Sequence, residues 1–280
     1  MADTIVVGVT GAPVADRAVE WAIGRASQRR QSIELVSVVG GAVGTVGEDD
    51  VLNAVLDDTA RMLEQHAARV TAAGVPVTTR VEAGNPVHVL IAASESAALL
   101  VIGSDYRGPS GGRARGAHGI RIASAAECPV VVVPDYDLEE GHGVVVGLDG
   151  SEVSEAALRF AAAEADRQGE PLIAVSVWTP LAAPRNDLAV YPELYLTNMQ
   201  AATEEMQALA LGGIRSDFPD LEVVRRVEQG YPSQIINEAA EGARLAVVGT
   251  HGRGAFARFL LGSISHEVLA RLATVTAVVR

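Results

Sequence analysis

One ordered set of landmarks occurs twice in this chain of 280 residues, and that repeat limits the fold more than any other feature. Late in the second half an apolar run enters Gly249-Thr250-His251-Gly252, followed after nine residues by Gly262-Ser263. Late in the first half the same frame reads Gly103-Ser104-Asp105-Tyr106, nine residues, Gly116-Ala117. These loops and the turns Gly84-Asn85-Pro86 and Gly230-Tyr231-Pro232 are offset by 146 positions. Gly8 and Gly147, like Val36-Ser37-Val38 and Val175-Ser176-Val177, are offset by 139. The second half therefore gains its extra residues between Trp178 and Gly230, where the Pro-rich stretch 180–184 lies. A unit of about 140 residues is domain-sized and far longer than a solenoid period of roughly 20–50 residues. The expectation is a first domain over 1–135, a polar, Gly-containing linker over 136–143 and a second domain over 144–280.

Within each half, β-branched runs alternate with helical periodicity. Predicted strands cover 5–9, 33–39, 75–81, 99–102 and 130–133, then 144–148, 172–178, 221–227, 245–248 and 275–279. Long helices are expected over 51–73 and 193–211, the second stopping before Gly212-Gly213. Pro86 and Pro232 suit the first turn of a helix, where the N–H has no partner anyway. Alternating strands and helices require parallel pairing, and continuous apolar strands require both sheet faces to be covered. The fold class is thus α/β: two tandem doubly wound domains, each a five-stranded, mostly parallel, Rossmann-like sheet flanked by helices. In such sheets ligands bind at the carboxyl ends of the strands, near the switch in winding direction. That rule puts Asp149 and the 249–263 loop on one rim.

Composition removes several function classes. There is no lysine, so a Walker A loop, a protein-kinase site and Schiff-base chemistry are all excluded. A formal charge of −13 disfavours a nucleic-acid partner. No apolar run approaches the roughly 20 residues of a membrane span, and residues 1–4 lack a basic signal region, which points to a cytoplasmic protein. The one cysteine, Cys128, reads as a buried core thiol. His66, His88, His118 and His142 have no metal-ligand spacing, and neither a Ser-His-Asp order nor a Gly-x-Ser-x-Gly elbow occurs. No catalytic residue or metal site can be argued from this chain.

The frame Gly-x-x-Gly, nine residues, Gly-Ser after a hydrophobic strand resembles the nucleotide loop of the universal stress protein family. Val146-Gly147-Leu148-Asp149-Gly150-Ser151, the two Gly-x-Pro turns and Cys128-Pro129-Val130 extend the resemblance over almost the whole chain. The arrangement is similar to tandem two-domain members from actinobacteria. The resemblance implies an adenine nucleotide alpha-hydrolase-like fold, and ATP, with or without Mg, as ligand. It also implies pairing through the last strands, as a homodimer or a pseudo-dimer, and a role as a nucleotide-responsive stress regulator. It places Asp149 at the nucleoside end, with Val177 lining the base. Two departures are Thr10 where the other half has Asp149, and Ala98 and Arg244 at a position that is often acidic.

The chemistry of the second loop is coherent without the resemblance. Gly249, Gly252 and Gly254 let backbone approach phosphate oxygens, and successive N–H groups in such turns make anion-binding concavities. Gly262, Ser263, Ile264 and Ser265 open a helix whose N-terminal N–H groups and dipole favour a phosphate. Ser263 adds a hydroxyl, Arg253 and Arg258 add charge, and His251 is placed to touch phosphate or take a proton. Gly150, Ser151 and Thr250 complete the candidate set. The first domain is the weaker candidate, through Thr10, Gly11, Val38, Gly103, Gly116 and Ala117. There Tyr106 is expected to put bulk where backbone should meet phosphate, while Ala117 lacks the hydroxyl. Alternative readings are a slow ATPase, or a scaffold acting through protein contacts. Trp178 with 180–195 is expected to form either a flap near the base site or a packing element between domains.

Overall fold

The computed structural model describes residues 3–40, 48–108, 117–136, 141–180, 193–252 and 261–280. The chain divides into two compact units, Met1–Asp137 and Leu138–Arg280. The first contains β1 (Thr4–Gly8), α1 (Val14–Arg29), β2 (Ser32–Val39), α2 (Glu48–Ala72), β3 (Val77–Ala83), α3 (Pro86–Ser94), β4 (Leu99–Gly103), α4 (Ala117–Ala125) and β5 (Val130–Val133). The second contains β6 (Val144–Gly147), α5 (Glu152–Gln168), β7 (Leu172–Trp178), α6 (Glu193–Asp217), β8 (Val223–Gln229), α7 (Pro232–Ala240), β9 (Leu245–Gly249), α8 (Ser263–Ala270) and β10 (Thr276–Val279).

Each unit holds a parallel sheet, ordered β3-β2-β1-β4-β5 in the first and β8-β7-β6-β9-β10 in the second. Winding runs outward from β1 and β6 through two strands, then reverses to the other side. The crevice between β6 and β9 is therefore the switch point of the second sheet. The central strands are buried over most of their length, as Leu99–Ile102 and Leu245–Val248 show. Such a core needs helices on both faces, and the amphipathic helices supply them.

Helix ends follow local chemistry. Asn85 caps α3, its side chain accepting from the N–H groups of Val87 and His88 at 2.9 and 3.4 Å. Ser151 caps α5 through the N–H of Ser154 at 3.2 Å. Helix α6 does not stop at Leu211 but runs through Gly212-Gly213 to Asp217. Two interior glycines cost the helix about 1–2 kcal/mol in all. Burial of Leu211 and Ile214 on either side of them holds the turn in place. Both β3 and β8 start two residues later than their apolar runs. Val75 and Leu221 instead close the preceding helix ends, their N–H groups bonding Val70 and Phe218 carbonyls at 3.3 Å each. Among the described residues no helix is long and apolar enough to cross a membrane.

Candidate functional site

Strand β6 delivers Asp149 to the carboxyl rim. The Leu148 N–H continues the ladder to the Val175 carbonyl at 2.8 Å, after which the chain turns through Gly150 at φ 75°. That left-handed backbone suits glycine and makes the turn tight. Asp149 Oδ1 then accepts from the N–H and hydroxyl of Ser151 at 3.0 and 2.6 Å. The residue that caps α5 thus also orients the carboxylate.

From the other side of the switch point comes the loop after β9. Its entry is fixed by the Thr250 N–H on the Val279 carbonyl at 2.7 Å. Its exit is fixed by the Gly262 N–H on the Thr250 carbonyl, also at 2.7 Å. The Ser265 hydroxyl donates to the Gly249 carbonyl at 2.6 Å and ties α8 to the end of β9. Gly262 precedes α8 without a side-chain cap. The N–H groups of the first turn of any helix have no acceptor within it, so this terminus can receive an external anion. Position 252 accepts only glycine while Asp149 stays in place, because a Cβ there would overlap Asp149 Oδ2.

Between these parts lies a cavity of about 490 Å³. Of the residues singled out in the sequence, Asp149, Val177, Gly249, His251, Gly252, Gly262, Ser263, Ile264 and Ser265 line it. Gly150, Ser151 and Thr250 do not. Ser151 acts through Asp149, and the Thr250 hydroxyl lies 3.0 Å from Nδ1 of His251. Arg253, Gly254 and Arg258 lie outside the described residues. Val175 and Val177 share one face of β7 and present branched aliphatic groups to the cavity, while Ser176 between them is turned to Gln207. Opposite them stand Pro232 and Ile236 of α7, and Val248 adds to the apolar floor. The result is an aliphatic slot that continues past a carboxylate into a Gly- and Ser-lined helix terminus.

The universal stress protein family profile matches residues 1–134 and again 142–280. The chain belongs to the universal stress protein family. A universal stress protein of Mycolicibacterium smegmatis is 33% identical over 99% of this chain and 96% of its own length. One from Mycobacterium tuberculosis is 32% identical, with 98% and 95% covered. A crystal structure of a universal stress protein from Archaeoglobus fulgidus superposes with a TM-score of 0.70 at 20% identity, covering 99% of this chain and 98% of that one, which shows the shared fold.

The first domain of this universal stress protein is arranged differently at the same rim. Thr10 and Gly11 line a cavity of about 340 Å³ whose other walls come from α1 and α2, including Asp16, His66 and Arg69. Val38 and Gly103 are not among its walls. Gly116 lies outside the described residues, and Ala117 opens α4. The Tyr106 ring, expected to put bulk where backbone should meet phosphate, is buried at 5% exposure, edge-on to Tyr136 with centroids 5.9 Å apart. Trp178 is also a buried side chain, its indole N–H donating to Gln200 of α6 at 2.6 Å. The stretch 181–192 of the expected flap lies outside the described residues. Burial pushes the Cys128 thiol up to about 11, so it is a poor nucleophile at neutral pH.

Gly147, Leu148, Ser154, Val175, Pro232, Ile236 and Val248 also line the second-domain cavity and went unread as site residues. Two signals pointed to three of them. Val175 is two positions before Val177 on one strand and must share its face. Pro232 and Ile236 are four apart at the start of α7 and share a helix stripe. Among the described residues no group of three or more His, Cys, Asp or Glu side chains is gathered to hold a metal.

Proposed function

We propose that the second domain binds an adenine nucleotide, with ATP as the ligand, and that occupancy makes this universal stress protein a nucleotide-responsive regulatory module. The observation that carries the reading is the cavity at the β6–β9 switch point, which joins an aliphatic slot, the Asp149 carboxylate and an uncapped helix terminus in one volume of about 490 Å³. That size falls within the roughly 300–1,000 Å³ of small-molecule sites. Val175, Val177 and Ile236 suit the flat face of a base. Asp149 suits hydroxyl or amine donors of the nucleoside, and the Gly249–Gly252 backbone with the first turn of α8 suits phosphates. Any Mg²⁺ arriving with ATP would draw chiefly on phosphate oxygens and water.

Calorimetric titration of nucleotide-stripped protein with ATP tests this. The expected result is one site per chain, lost in Gly252→Tyr/Ser263→Ala, which rewrites the second loop toward the first. No binding by the unaltered chain sinks the proposal, and a second site that survives the change would reassign it to the first domain. Self-association through the terminal strands belongs to the same reading. Light scattering that finds a monomer at all concentrations would remove it.

A further inference from the structure

The two helices that wall the cavity are fastened to each other by side chains that face away from it. Helix α7 contributes Pro232 and Ile236 to the slot, and α8 contributes Ser263, Ile264 and Ser265 to the phosphate end. Glu267 of α8 reaches across to the first turn of α7. One carboxylate oxygen accepts from the Ser233 hydroxyl at 2.6 Å, the other from the Tyr231 phenol at 3.2 Å. Ser233 is buried and adjoins Pro232. Hydrogen bonds to a carboxylate are stronger than neutral ones, so the pair is a firm tie between helices. The hydrogen bond to Glu267, with the carboxylate's charge behind it, also pushes the Tyr231 phenol upward from its ordinary value. Two more side-chain bonds extend the belt around the rim. Thr179, just after β7, donates to the Gly230 carbonyl at 2.6 Å, and Ser265 donates to the Gly249 carbonyl at 2.6 Å.

Every polar member of this belt is missing from the first domain. At the repeat offsets, Ser233 becomes Val87, Glu267 becomes Arg121, Tyr231 becomes Asn85, Ser265 becomes Gly119 and Thr179 becomes Gly40. The equivalence of Thr179 and Gly40 is visible in space, since a Cβ on Gly40 would face the Gly84 carbonyl at 3.7 Å. Val87 has no hydroxyl to give, Arg121 is exposed, and Asn85 turns back to cap its own helix. A general stability device would be expected in both copies of the repeat. One confined to the copy with the intact glycine loop points to the ligand.

We propose that Glu267 and Ser233 are positioning residues that lock α7 to α8, so that the slot and the phosphate end of the cavity hold one ligand at a fixed spacing. This rests on the nucleotide reading above. The lock touches neither end of the ligand directly. It acts on ligands long enough to engage both, by keeping the first turn of α8 at the right distance from Val175, Val177 and Ile236.

The test compares Ser233→Val with Ser233→Thr in the full chain, titrating each with ATP and with adenosine. The two variants add the same bulk at a buried position and differ only in the hydroxyl. Coupling between sites typically amounts to about 5–150-fold. In Ser233→Val the ratio of ATP to adenosine affinity is expected to fall by at least about fivefold, with Ser233→Thr retaining the unaltered ratio. Glu267→Gln, which keeps shape but removes charge, should fall between them and serves if the valine variant does not fold. A simple structural bond would lower the melting temperature while leaving that ratio unchanged. Equal ratios in the valine and threonine variants, or equal losses for both ligands, overturn the lock while leaving the nucleotide site standing. Failure of the unaltered chain to bind either ligand overturns the site and the lock with it.

Discussion

The loops after β4 and β9 share one frame of glycines, and they differ at two positions that meet in the second domain. In the second domain a side chain at position 252 would meet the Asp149 carboxylate, which would have to swing aside. In the first, a tyrosine stands at the position of that glycine and a threonine at the position of that aspartate. Without the carboxylate, residue 106 is free to carry a side chain, and the ring it gained has been drawn into a buried pair with Tyr136. The backbone follows the ring: the Tyr106 carbonyl accepts from the Asp135 N–H at 2.8 Å. The turn after β1 shows the same drift. Thr10 Oγ1 accepts weakly from the Ala12 N–H at 3.3 Å, where Asp149 holds Ser151 twice. Among the described residues Gly249, His251 and Gly252 line a cavity, whereas Tyr106 packs against Tyr136. The same fold thus carries different local packing at the two copies of this position.

The strongest way to break this comparison is Gly252→Ala. A single added methyl displaces the Asp149 carboxylate, and such overpacking costs about 1–3 kcal/mol, or about 5- to 150-fold in ATP affinity when the cost falls wholly on the bound state. Adding Asp149→Ala should restore the melting temperature without restoring binding. Recovery of both would show that the glycine matters for the loop alone. In the first domain, Ala117→Ser supplies the missing hydroxyl yet should leave ATP affinity unchanged, because Thr10 and Val38 are not gathered round a common cavity.

Next in size is the response to ligand. A saturating ligand at about 100 times its Kd stabilises the folded state by about 2.7 kcal/mol. Calorimetric scans with ATP should move one unfolding component, and limited proteolysis should assign it to 144–280. An equal shift of both components would show the copies to be equally competent.

Smaller again is the effect of a buried polar tie with no apolar equivalent. Gln207 of α6 is fully buried, its amide donating to the Ala174 and Arg226 carbonyls and to the Ser176 hydroxyl at 3.0–3.1 Å, while its oxygen accepts from Arg225 at 3.0 Å. Helix α2 of the first domain buries the apolar Leu63 and Val70. Gln207→Leu leaves these groups without a partner and should destabilise the second domain by about 1–3 kcal/mol, read from urea unfolding. A neutral result would mean water replaces the amide.

Most of the fold was legible because strand period, helix period and the repeat all agree. Period and punctuation placed the strands and the carboxyl rim on which Asp149 and the 249–263 loop lie, but not the order of the strands across each sheet. Features needing distances were not legible. Nothing in the sequence says that a side chain at 252 would strike Asp149, that Tyr106 would turn inward, or that Glu267 reaches Ser233 across 34 positions. Apolar wall residues such as Ile236 escaped because a core isoleucine and a site isoleucine share one pattern. The late starts of β3 and β8 were missed because Val75 and Leu221 serve helix ends, a use that periodicity cannot separate from strand membership.

The smallest expected effect separates the domains by acid. In the first, His66 is held below its ordinary value of 6.5, chiefly by burial, with Asp16 opposing and Arg69 assisting. Its Nδ1 is buried without a hydrogen-bond partner, 3.8 Å from Asp16 Oδ1, while Arg69 holds Asp16 and Glu20. A folded value below the unfolded one means the unfolded chain takes up the proton first. Stability is then complete above about 6.5 and is lost as pH falls toward the folded value. In the second domain burial pushes the Glu170 carboxyl up, but the Gly143 N–H at 2.8 Å, the Arg244 guanidinium at 2.9–3.0 Å and the His142 imidazole at 2.5 Å outweigh it and hold the group below 4.5. Its contribution persists until pH falls under 4.5. Acid titration followed by hydrogen exchange should therefore show the first domain weakening in the pH range just below 6.5, where the second does not. His66→Phe should flatten that early limb and Glu170→Gln the later one. A first limb that survives His66→Phe would assign it to another group and remove this difference between the copies.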